Sequence, residues 1–584
     1  LKSRFGSRGR TSGPSRRVHG RAAGAALASR AAMGNCSSCC HHNAGQGAAR
    51  LPHVIDDDGE LRGFEAEPGL YDLDVVNTLP ATRATCGEAA EEEPMIFDAG
   101  AKEVDPTLGL SSSTTDSPGL VPDAPRDPST RSIFEAMRKG ASKTLGGPTI
   151  IVLVNPRSGG NAAGVLLEIP RGGVCIEAPG VGLATIFSYP IADPSREGVH
   201  HLAAEVHAGG MHPVRCIVAG GDGTVMWVIQ EIFDSGIPTE SVLIGTVPFG
   251  TGNDFGNVTG WGVSGPPRGF LKEHDGFSGL QKYVAAWLRA ESSPFDIWQI
   301  SVRTRSSDKA GFEFIQDGKK QCTEQHMERH SIKRLPGGEL EMSKYVCNYL
   351  GIGLDARVGF GFDKSRQHNR HANKAVYAWE GTKKLLFKKK GVVGHIIDNM
   401  KTVESLHVDQ ARDGHDPAAA RDRETVFSTA SDDAQARLAG NPVSLLFLNI
   451  PSIAGGLDIW NWSSRKLGTA TAGPELLARK QHFGDGRLEC LTYRTGLGFY
   501  AEQTRIPGVR GQGQRVYSGG GPLRITFRHP SDESFRAGTG HCRGRTYMQV
   551  DGEYFAVHEP ESVVIKQHAT VRVLINSNPG GCSS

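Results

Sequence analysis

Three short apolar segments, each followed at once by a turn of small residues, constrain the fold of this 584-residue chain most strongly. The segments are residues 149–154, 216–219 and 244–247. Apolar runs of this length, bounded by glycine, are typical of buried strands. Glycine lacks the Cβ atom that would keep a phosphate away from backbone N–H groups. The pattern therefore predicts an α/β domain with a parallel sheet whose strand ends bind a nucleoside triphosphate.

The predicted phosphate-binding residues lie in these three turns. They are Asn155, Ser158, Gly159 and Gly160, then Gly220, Gly221, Gly223 and Thr224, then Gly250, Thr251, Gly252 and Asn253. Asp222, in the second turn, is placed to hold Mg²⁺ directly or through bound water. No Gly-x-x-x-x-Gly-Lys-Ser/Thr run occurs, so the first turn is not a P-loop. One glycine turn is more often a plain turn, but three at strand ends form a much stronger signal.

The sequences around the turns resemble a known family. Residues 155–160, 220–224 and 248–255 read Asn-Pro-Arg-Ser-Gly-Gly, Gly-Gly-Asp-Gly-Thr and Pro-Phe-Gly-Thr-Gly-Asn-Asp-Phe. They resemble the catalytic domain of eukaryotic diacylglycerol kinases. Further runs resemble the accessory domain of that family and follow in its order, at 348–356, 373–377, 449–460, 485–489 and 549–553. The similarity extends over roughly residues 148 to 576.

The resemblance implies an ATP-dependent kinase that phosphorylates 1,2-diacylglycerol to phosphatidic acid in lipid signalling and phospholipid metabolism, with Mg²⁺ as cofactor. Similarity to bacterial relatives implies that Asp551 is the general base, with Glu553 beside it and Asp222 as the rival. A simple β-turn is the alternative interpretation of residues 551–553.

Two other functions remain open. Sphingoid-base and ceramide kinases share the Gly-Gly-Asp-Gly-Thr turn, and a relative without activity would be a lipid-binding scaffold. The intact glycine turns, Asp222 and Asp551 favour an enzyme. The runs Gly-Thr-Gly-Asn-Asp and Asn-Ile-Pro-Ser-x-Ala-Gly-Gly favour a diacylglycerol kinase among the enzymes.

The order of predicted elements gives a domain plan. Residues 1–147 form a disordered region, since they are rich in Ala, Gly, Ser, Pro and acidic residues. The α/β nucleotide-binding (catalytic) domain occupies 148–300, with helices near 225–233 and 280–288. A linker or insertion follows at 301–342. An antiparallel β-rich, sandwich-like accessory domain occupies 343–576 and carries a second disordered insert at 410–440. The resemblance suggests that residues after Glu553 pack back onto the first domain.

The chain also departs from the family pattern. Phe249 stands where the family usually has Leu, and Phe362-Asp363 replaces a Phe-His pair. The family has a leucine-rich helix between positions 164 and 187. Here that stretch is rich in glycine and proline, which break helices. We expect either an unusual loop at this point or an incorrect gene model.

Composition excludes several classes of protein. The formal net charge is only +2, so no nucleic-acid partner is expected. No apolar run approaches the ~20 residues of a transmembrane helix. The 11 cysteines are scattered and odd in number, which suits a reducing cytosol. No repeated Cys-x₂-Cys and His pairs indicate the zinc modules of many mammalian relatives, so the chain resembles a minimal form.

The run from Met33 to Cys40 offers a route to the membrane. Gly34 fits the N-myristoylation pattern, and Cys36, Cys39 and Cys40 are placed for palmitoylation. Two lipid signals anchor stably where one does not. A basic stretch at 383–390 predicts contact with an anionic lipid surface. These features predict the cytoplasmic face of the plasma membrane, with the cytosol as the alternative. If translation starts upstream, residues 1–32 resemble a mitochondrial transit peptide.

Overall fold

The computed structural model describes residues 147–209, 212–266, 278–316, 319–321, 327–328, 330–365, 392–404, 422–429, 436–440, 442–503, 509–539 and 545–577. All of these belong to one compact unit, Thr115–Ser584, and none belongs to the other unit, Leu1–Thr114. Three predictions lie outside the described residues: the disorder of the N-terminal region, the acylation sites at Gly34, Cys36, Cys39 and Cys40, and the basic stretch at 383–390. The motif at 373–377 also lies outside them.

The strands, in chain order, are β1 (Thr149–Val154), β2 (Val174–Ala178), β3 (Gly182–Pro190), β4 (Val214–Gly220), β5 (Val242–Pro248), β6 (Glu291–Thr304), β7 (Gly311–Gln316), β8 (Lys319–Gln321), β9 (Ile332–Arg334), β10 (Leu340–Val346), β11 (Tyr349–Gly353), β12 (Ile397–Val403), β13 (Asp422–Ser428), β14 (Ser444–Leu448), β15 (Leu488–Tyr493), β16 (Gly513–Gly519), β17 (Leu523–Phe527), β18 (Arg545–Val550), β19 (Glu553–His558) and β20 (Pro560–Ile575).

The helices are α1 (Glu197–His207), α2 (Asp222–Asp234), α3 (Asp254–Val258), α4 (Ser278–Arg289), α5 (Leu354–Lys364), α6 (Val393–Ile396), α7 (Ile459–Trp462), α8 (Glu475–Ala478), α9 (Gly496–Gln503) and α10 (Glu533–Thr539). Short 3₁₀ segments occur at Ala162–Glu168 and Thr239–Ser241. None of the helices in the described part of the chain has the length and apolar character needed to cross a bilayer.

The first sheet is mixed, and its parallel part confirms the predicted α/β arrangement. β4 lies between β1 and β5, and β1 also pairs in parallel with β3. Apolar side chains of α1 and α2 pack on one face of these strands, and those of α4 pack on the other. Because parallel strands end at one edge, the turns that follow β1, β4 and β5 come together there.

The glycine- and proline-rich stretch between 164 and 187 is an edge hairpin rather than a loop. A 3₁₀ turn is followed by β2, which pairs antiparallel with β3. Gly173 and Gly180 take φ angles of 78° and 70°, which a helix does not allow. Val174, Ile176 and Ala178 alternate with less buried residues, so β2 covers the core on one face only. The glycines that break a helix here form the turn before β2 and the turn between β2 and β3.

Two segments predicted as connections contain strands. The stretch 301–342 holds the end of β6 together with β7, β8, β9 and the start of β10, and so contributes to both sheets. Within the supposed disordered insert at 410–440, β13 pairs with β12. Only Val426 and Phe427 of β13 are buried, because it is an edge strand. Because most of its residues are polar and at least partly exposed, a search for alternating apolar residues does not detect this strand.

The second sheet is antiparallel, as predicted for the β-rich region. Its strands run in the order β16-β15-β14-β11-β18-β19-β7-β8. One apolar cluster joins this sheet to the antiparallel half of the first, with side chains such as Trp298 and Ile565 facing Phe447 and Val550. β20 leaves this half and pairs in parallel with β5, with Arg572 opposite Leu243. The chain after Glu553 therefore does pack back onto the parallel strands of the first sheet.

Candidate functional site

The second and third glycine turns touch backbone to backbone. The N–H of Phe249 donates to the carbonyl of Gly220 at 2.8 Å. A Cβ atom on Gly221 would lie 2.8 Å from the Cα of Gly250, and one on Gly250 would lie 2.5 Å from the Cα of Gly221. No side chain fits at either position, because real Cβ atoms do not approach backbone so closely. Glycine is required here to bring the two turns together.

The first turn is tied to the second by Asn155. Its backbone N–H donates to the carbonyl of Ala219 at 3.0 Å, and its side-chain amide donates to Oγ1 of Thr224 at 3.1 Å. Thr224 is buried, at 5% exposure, and its side chain lies against Gly220. The hydroxyl expected to reach a phosphate thus faces Asn155 and holds two turns in register.

Several other predicted residues remain open to a ligand. Gly223 is exposed in the first turn of α2, and a Cβ atom there would meet no other described residue within 4 Å, its own helix backbone aside. Gly160, whose φ is 65°, is also exposed, and a Cβ atom there would meet no described residue within 4 Å. Gly159 and Thr251 are also exposed, and Ser158 is half-buried. Together with the positive end of the 13-residue α2, this surface suits an anion.

Asn253 has an internal role. It is 2% exposed with φ 53°, and its amide donates to the carbonyls of Gly250 at 3.0 Å and Val263 at 2.8 Å. Asparagine adopts this left-handed conformation more readily than most residues. The side chain therefore fixes the shape of the third turn. Gly252 lies beside it, and a Cβ atom there would be 3.3 Å from the Asp222 carboxylate.

Asp222 connects the second turn to the start of α3. Its two carboxylate oxygens accept the N–H groups of Asp254 at 3.1 Å and Phe255 at 2.9 Å. This places a negative charge at the N-terminus of the helix, which is favourable. Each oxygen keeps a further lone pair, so the carboxylate can cap the helix and still accept another ligand.

Asp254 is a functional candidate that the sequence analysis missed. It is fully buried, and one oxygen accepts the Ser452 hydroxyl at 2.6 Å and the N–H groups of Gly455 at 2.9 Å and Gly456 at 3.2 Å. Burial raises the pKa of Asp254, and the charge of Asp222 adds to the rise. Its partners lie about 200 positions away in the chain. The available signal was that both ends of this contact fall in motifs of the family.

Asp551 lies in the turn between β18 and β19, at φ 49°. Its carboxylate accepts three backbone N–H groups, from Cys347 at 2.7 Å, Asn348 at 2.8 Å and Tyr349 at 2.9 Å. Burial raises the pKa of Asp551 to about 6 despite these donors, and the nearby Asp222 adds to the rise. The β-turn interpretation is thus correct in shape, and it also presents a rigidly held carboxylate.

Glu553 has different surroundings. Its side chain is 51% exposed and pairs with the ammonium of Lys344 at 2.8 Å and with His330 at 3.6 Å. The Glu553 carboxylate therefore lies at the surface beside the turn and is engaged in an ion pair with Lys344.

Tyr349 links the carboxylates of the two sheets. Its hydroxyl donates to Asp254 at 3.4 Å, and its backbone N–H donates to Asp551. Asp222 raises the pKa of both carboxyl groups, so all three acids share one region. Among the described residues, no three His, Cys, Asp or Glu side chains are arranged as a metal site. Magnesium bound to a nucleotide needs only one or two carboxylates besides phosphate and water, and Asp222 fits that need.

Comparison with known proteins agrees with this geometry. Residues 149–272 match the sequence profile of the diacylglycerol kinase catalytic domain, and residues 345–554 match that of the diacylglycerol kinase accessory domain. Together the two matches span more than half of the chain. The chain belongs to the diacylglycerol kinase family. The catalytic-domain match contains the three glycine turns and Asp222, and the accessory-domain match contains Asp551.

Individual relatives are distant but consistent with this family. The chain is 28% identical over 256 residues to "Diacylglycerol kinase 2" of Arabidopsis thaliana, which covers 42% of this chain and 26% of the relative. It is 24% identical over 326 residues to "Diacylglycerol kinase 1" of Oryza sativa subsp. japonica, covering 53% and 59%. It is 23% identical over 381 residues to "Probable diacylglycerol kinase 3" of Caenorhabditis elegans, covering 62% and 38%. The similarity thus spans between about a quarter and three fifths of these relatives.

Proposed function

We propose that this chain is an ATP-dependent diacylglycerol kinase, which transfers the γ-phosphoryl group of ATP to the primary hydroxyl of 1,2-diacylglycerol and yields phosphatidic acid and ADP. One observation carries the proposal. Three glycine turns at the ends of parallel strands adjoin a carboxylate, Asp551, that belongs to the second sheet and is held by three backbone donors. The first feature suits a triphosphate, and the second suits a group that accepts a proton.

The turns and α2 supply most of what phosphoryl transfer needs from a protein, which is alignment and neutralisation of charge. The exposed backbone at Gly159, Gly160 and Gly223 lets phosphate oxygens approach closely. Hydrogen bonds of Asn155, Thr224 and Asn253 within the protein hold the turns in place. When bound, Mg²⁺ neutralises charge on the β- and γ-phosphates, and Asp222 is the residue of this chain that fits it.

Asp551 is assigned the role of general base, which accepts the proton of the lipid hydroxyl. The lipid oxygen forms a bond to the γ-phosphorus, the bond from that phosphorus to the bridging oxygen breaks, and ADP leaves. The hydroxyl proton passes to the Asp551 carboxylate. With a pKa of about 6, Asp551 is ionised at neutral pH and still basic enough to serve. One lone pair on Oδ2 remains, because that oxygen accepts only the N–H of Cys347.

We further propose that residues 148–300 form the catalytic domain and 343–576 the sandwich-like accessory domain. Support comes from the two packed sheets and from the family matches, which fall within these ranges. We also propose that acylation at Gly34, Cys36, Cys39 and Cys40 brings the site to an anionic lipid surface at the plasma membrane, since the lipid acceptor resides in a bilayer.

The experiment uses the full chain, ATP, Mg²⁺ and 1,2-diacylglycerol in mixed micelles, with phosphatidic acid as the product measured. We expect formation of phosphatidic acid by the wild type. Asp551→Asn should lower kcat by about 10²–10⁴-fold with little change in ATP binding. Asp222→Asn should instead raise the Mg²⁺ concentration needed for half-maximal rate. Full kcat in Asp551→Asn would show that the base is another residue, and absence of phosphatidic acid from the wild type would refute the function.

A further inference from the structure

A cavity opens on the second sheet, beside the loop that binds Asp254. Its volume is about 50 Å³, and it is open to solvent at its mouth. Its lining includes polar side chains from the sheet and the start of α5, namely Tyr349, Asp355, Tyr493 and Gln549. It also includes apolar side chains from the loop before α7 and from α9, namely Ile453, Leu457 and Phe499. Such a lining suits a ligand that has both a polar part and a hydrocarbon part.

One end of the cavity lies next to the phosphate-binding turns. Tyr349 lines it, and the hydroxyl of Tyr349 donates to Asp254. Ile453 and Ala454 also line it, and they belong to the loop whose Ser452 and Gly455 bind the same carboxylate. A Cβ atom on Gly455 would lie 3.7 Å from the carbonyl oxygen of Gly252 in the third turn. A molecule in the cavity can therefore extend toward the site of transfer.

The Tyr493 hydroxyl is the unusual group in this cavity. The side chain is 0% exposed, and the hydroxyl has no hydrogen-bond partner among the described residues. Strand pairing with Ser444 and an edge-to-face contact with Phe499, at 5.3 Å between ring centres, fix its position. A buried donor without an acceptor is unfavourable, and such groups in proteins are usually paired. An acceptor supplied by a ligand would satisfy it.

The neighbouring polar groups limit what this ligand can be. Glu502 accepts the N–H groups of residues 511–513, and Asp355 accepts the Ser444 hydroxyl at 3.0 Å. Burial and the negative charges of Glu502 and Asp355 raise the pKa of Tyr493 well above its ordinary value, so it stays a donor. The same two acids repel an anionic ligand. The fitting partner is an uncharged acceptor attached to hydrocarbon.

We propose that this cavity holds the glycerol end of the acceptor lipid and that the Tyr493 hydroxyl donates a hydrogen bond to the carbonyl oxygen of an acyl ester. Tyr493 is thus a specificity-determining residue that distinguishes ester-linked from ether-linked glycerolipids. This inference rests on the proposed kinase function and assigns the recognition of its lipid substrate to a residue of the second sheet.

The test compares two lipids that share the primary hydroxyl and differ in the carbonyl groups: 1,2-dioleoylglycerol and its diether analogue 1,2-di-O-oleylglycerol. Wild-type protein should phosphorylate the diester with kcat/KM about 10-fold or more above the diether. Tyr493→Phe should lose most of that preference by a fall on the diester alone. KM for ATP should not change. The unfolding temperature should not fall, because the hydroxyl that is removed has no protein partner.

Tyr517→Phe is the matched control. Tyr517 lies on β16, next to β15, outside the cavity, and its hydroxyl accepts the N–H of Gly521 at 3.4 Å. Its diester preference should equal that of the wild type. A Tyr493→Phe variant that keeps the wild-type ratio of diester to diether would overturn the inference and leave the kinase function standing. If the wild type phosphorylates neither glycerolipid, both the inference and the proposed function are wrong.

Discussion

At the scale of single residues, Gly223 separates binding from folding most cleanly. It lies in a helix, where alanine is more stable than glycine by about 1 kcal/mol, and a Cβ atom there meets no described neighbour. That methyl group would occupy the space in which we propose that a phosphate of ATP approaches the backbone. Gly223→Ala should therefore abolish kinase activity while the unfolding temperature stays equal or rises. Activity assays and thermal unfolding of the same sample check the loss of activity and the unfolding temperature.

Gly394→Ala is the matched control for Gly223→Ala. Gly394 is also helical and also has room for a Cβ atom, with the nearest contact at 3.8 Å, but it lies in α6. We expect normal activity from this variant. Near-normal turnover by Gly223→Ala would contradict the assignment of the second turn to phosphate.

The proposed base, Asp551, should make the reaction pH-dependent in a defined direction. Its pKa is raised to about 6, so the carboxylate takes up a proton as the pH falls through that value. A protonated carboxyl cannot accept the hydroxyl proton, and kcat/KM should fall about 10-fold per pH unit below 6. Asp551→Asn should retain only a small rate without this acid limb. An acid limb that persists unchanged in the variant would assign the titration to another group.

The sequence predicted which residues form the three turns, but not which of them are exposed and which are buried. Gly159, Gly160, Gly223 and Thr251 face outward as a phosphate site requires. Thr224 and Asn253 have the residue types of ligands, yet both are buried and hold the turns from behind. Burial depends on strands that are distant in sequence, so a local motif carries no information about it.

At the scale of elements, Asp254 joins α3 to the loop before α7. Replacement by alanine would remove the acceptor of four donors, from Ser452, Gly455, Gly456 and Tyr349, and each donor costs about 1–3 kcal/mol when buried without a partner. Asp254→Ala should therefore destabilise the fold by about 3 kcal/mol or more. Asp254→Asn retains an oxygen acceptor and should cost less than half as much. Chemical denaturation midpoints of the two variants measure the difference.

Ser452→Ala completes that comparison, since it removes one of the four donors and leaves the carboxylate in place. Its cost should be about 1 kcal/mol. Equal midpoints for Asp254→Ala and wild type would mean that the contact between the two elements contributes nothing to stability.

At the scale of the whole molecule, β20 joins the antiparallel and the parallel halves of the first sheet. This 16-residue strand pairs with β6 along almost its full length, with β17 at its start and with β5 near its end. Local patterns predicted an antiparallel β-rich region here, but not that a single strand joins the two halves of the first sheet. They also missed β13 and the strands within 301–342. Strand pairing across hundreds of residues decided those cases, and periodicity does not report it.

The location of the protein in cells is a prediction that rests on the motif from Met33 to Cys40. A protein translated from Met33 should be acylated at Gly34 and held on membranes, because palmitoylation of the nearby cysteines follows the first chain. Gly34→Ala should shift it to the cytosol, while Ser37→Ala, at a position the signal leaves free, should not. Fractionation of cells measures both. Unchanged membrane binding of Gly34→Ala would exclude acylation as the anchor.

The most direct test of the central claim is a competition between acceptors. The purified full chain receives labelled ATP, Mg²⁺ and micelles that contain equal amounts of 1,2-diacylglycerol, sphingosine and ceramide, and the labelled products are separated. We predict label in phosphatidic acid, in amounts that greatly exceed the other two lipid phosphates, and none with Gly223→Ala. Label mainly in sphingosine phosphate or ceramide phosphate, or in no lipid at all, would contradict the account.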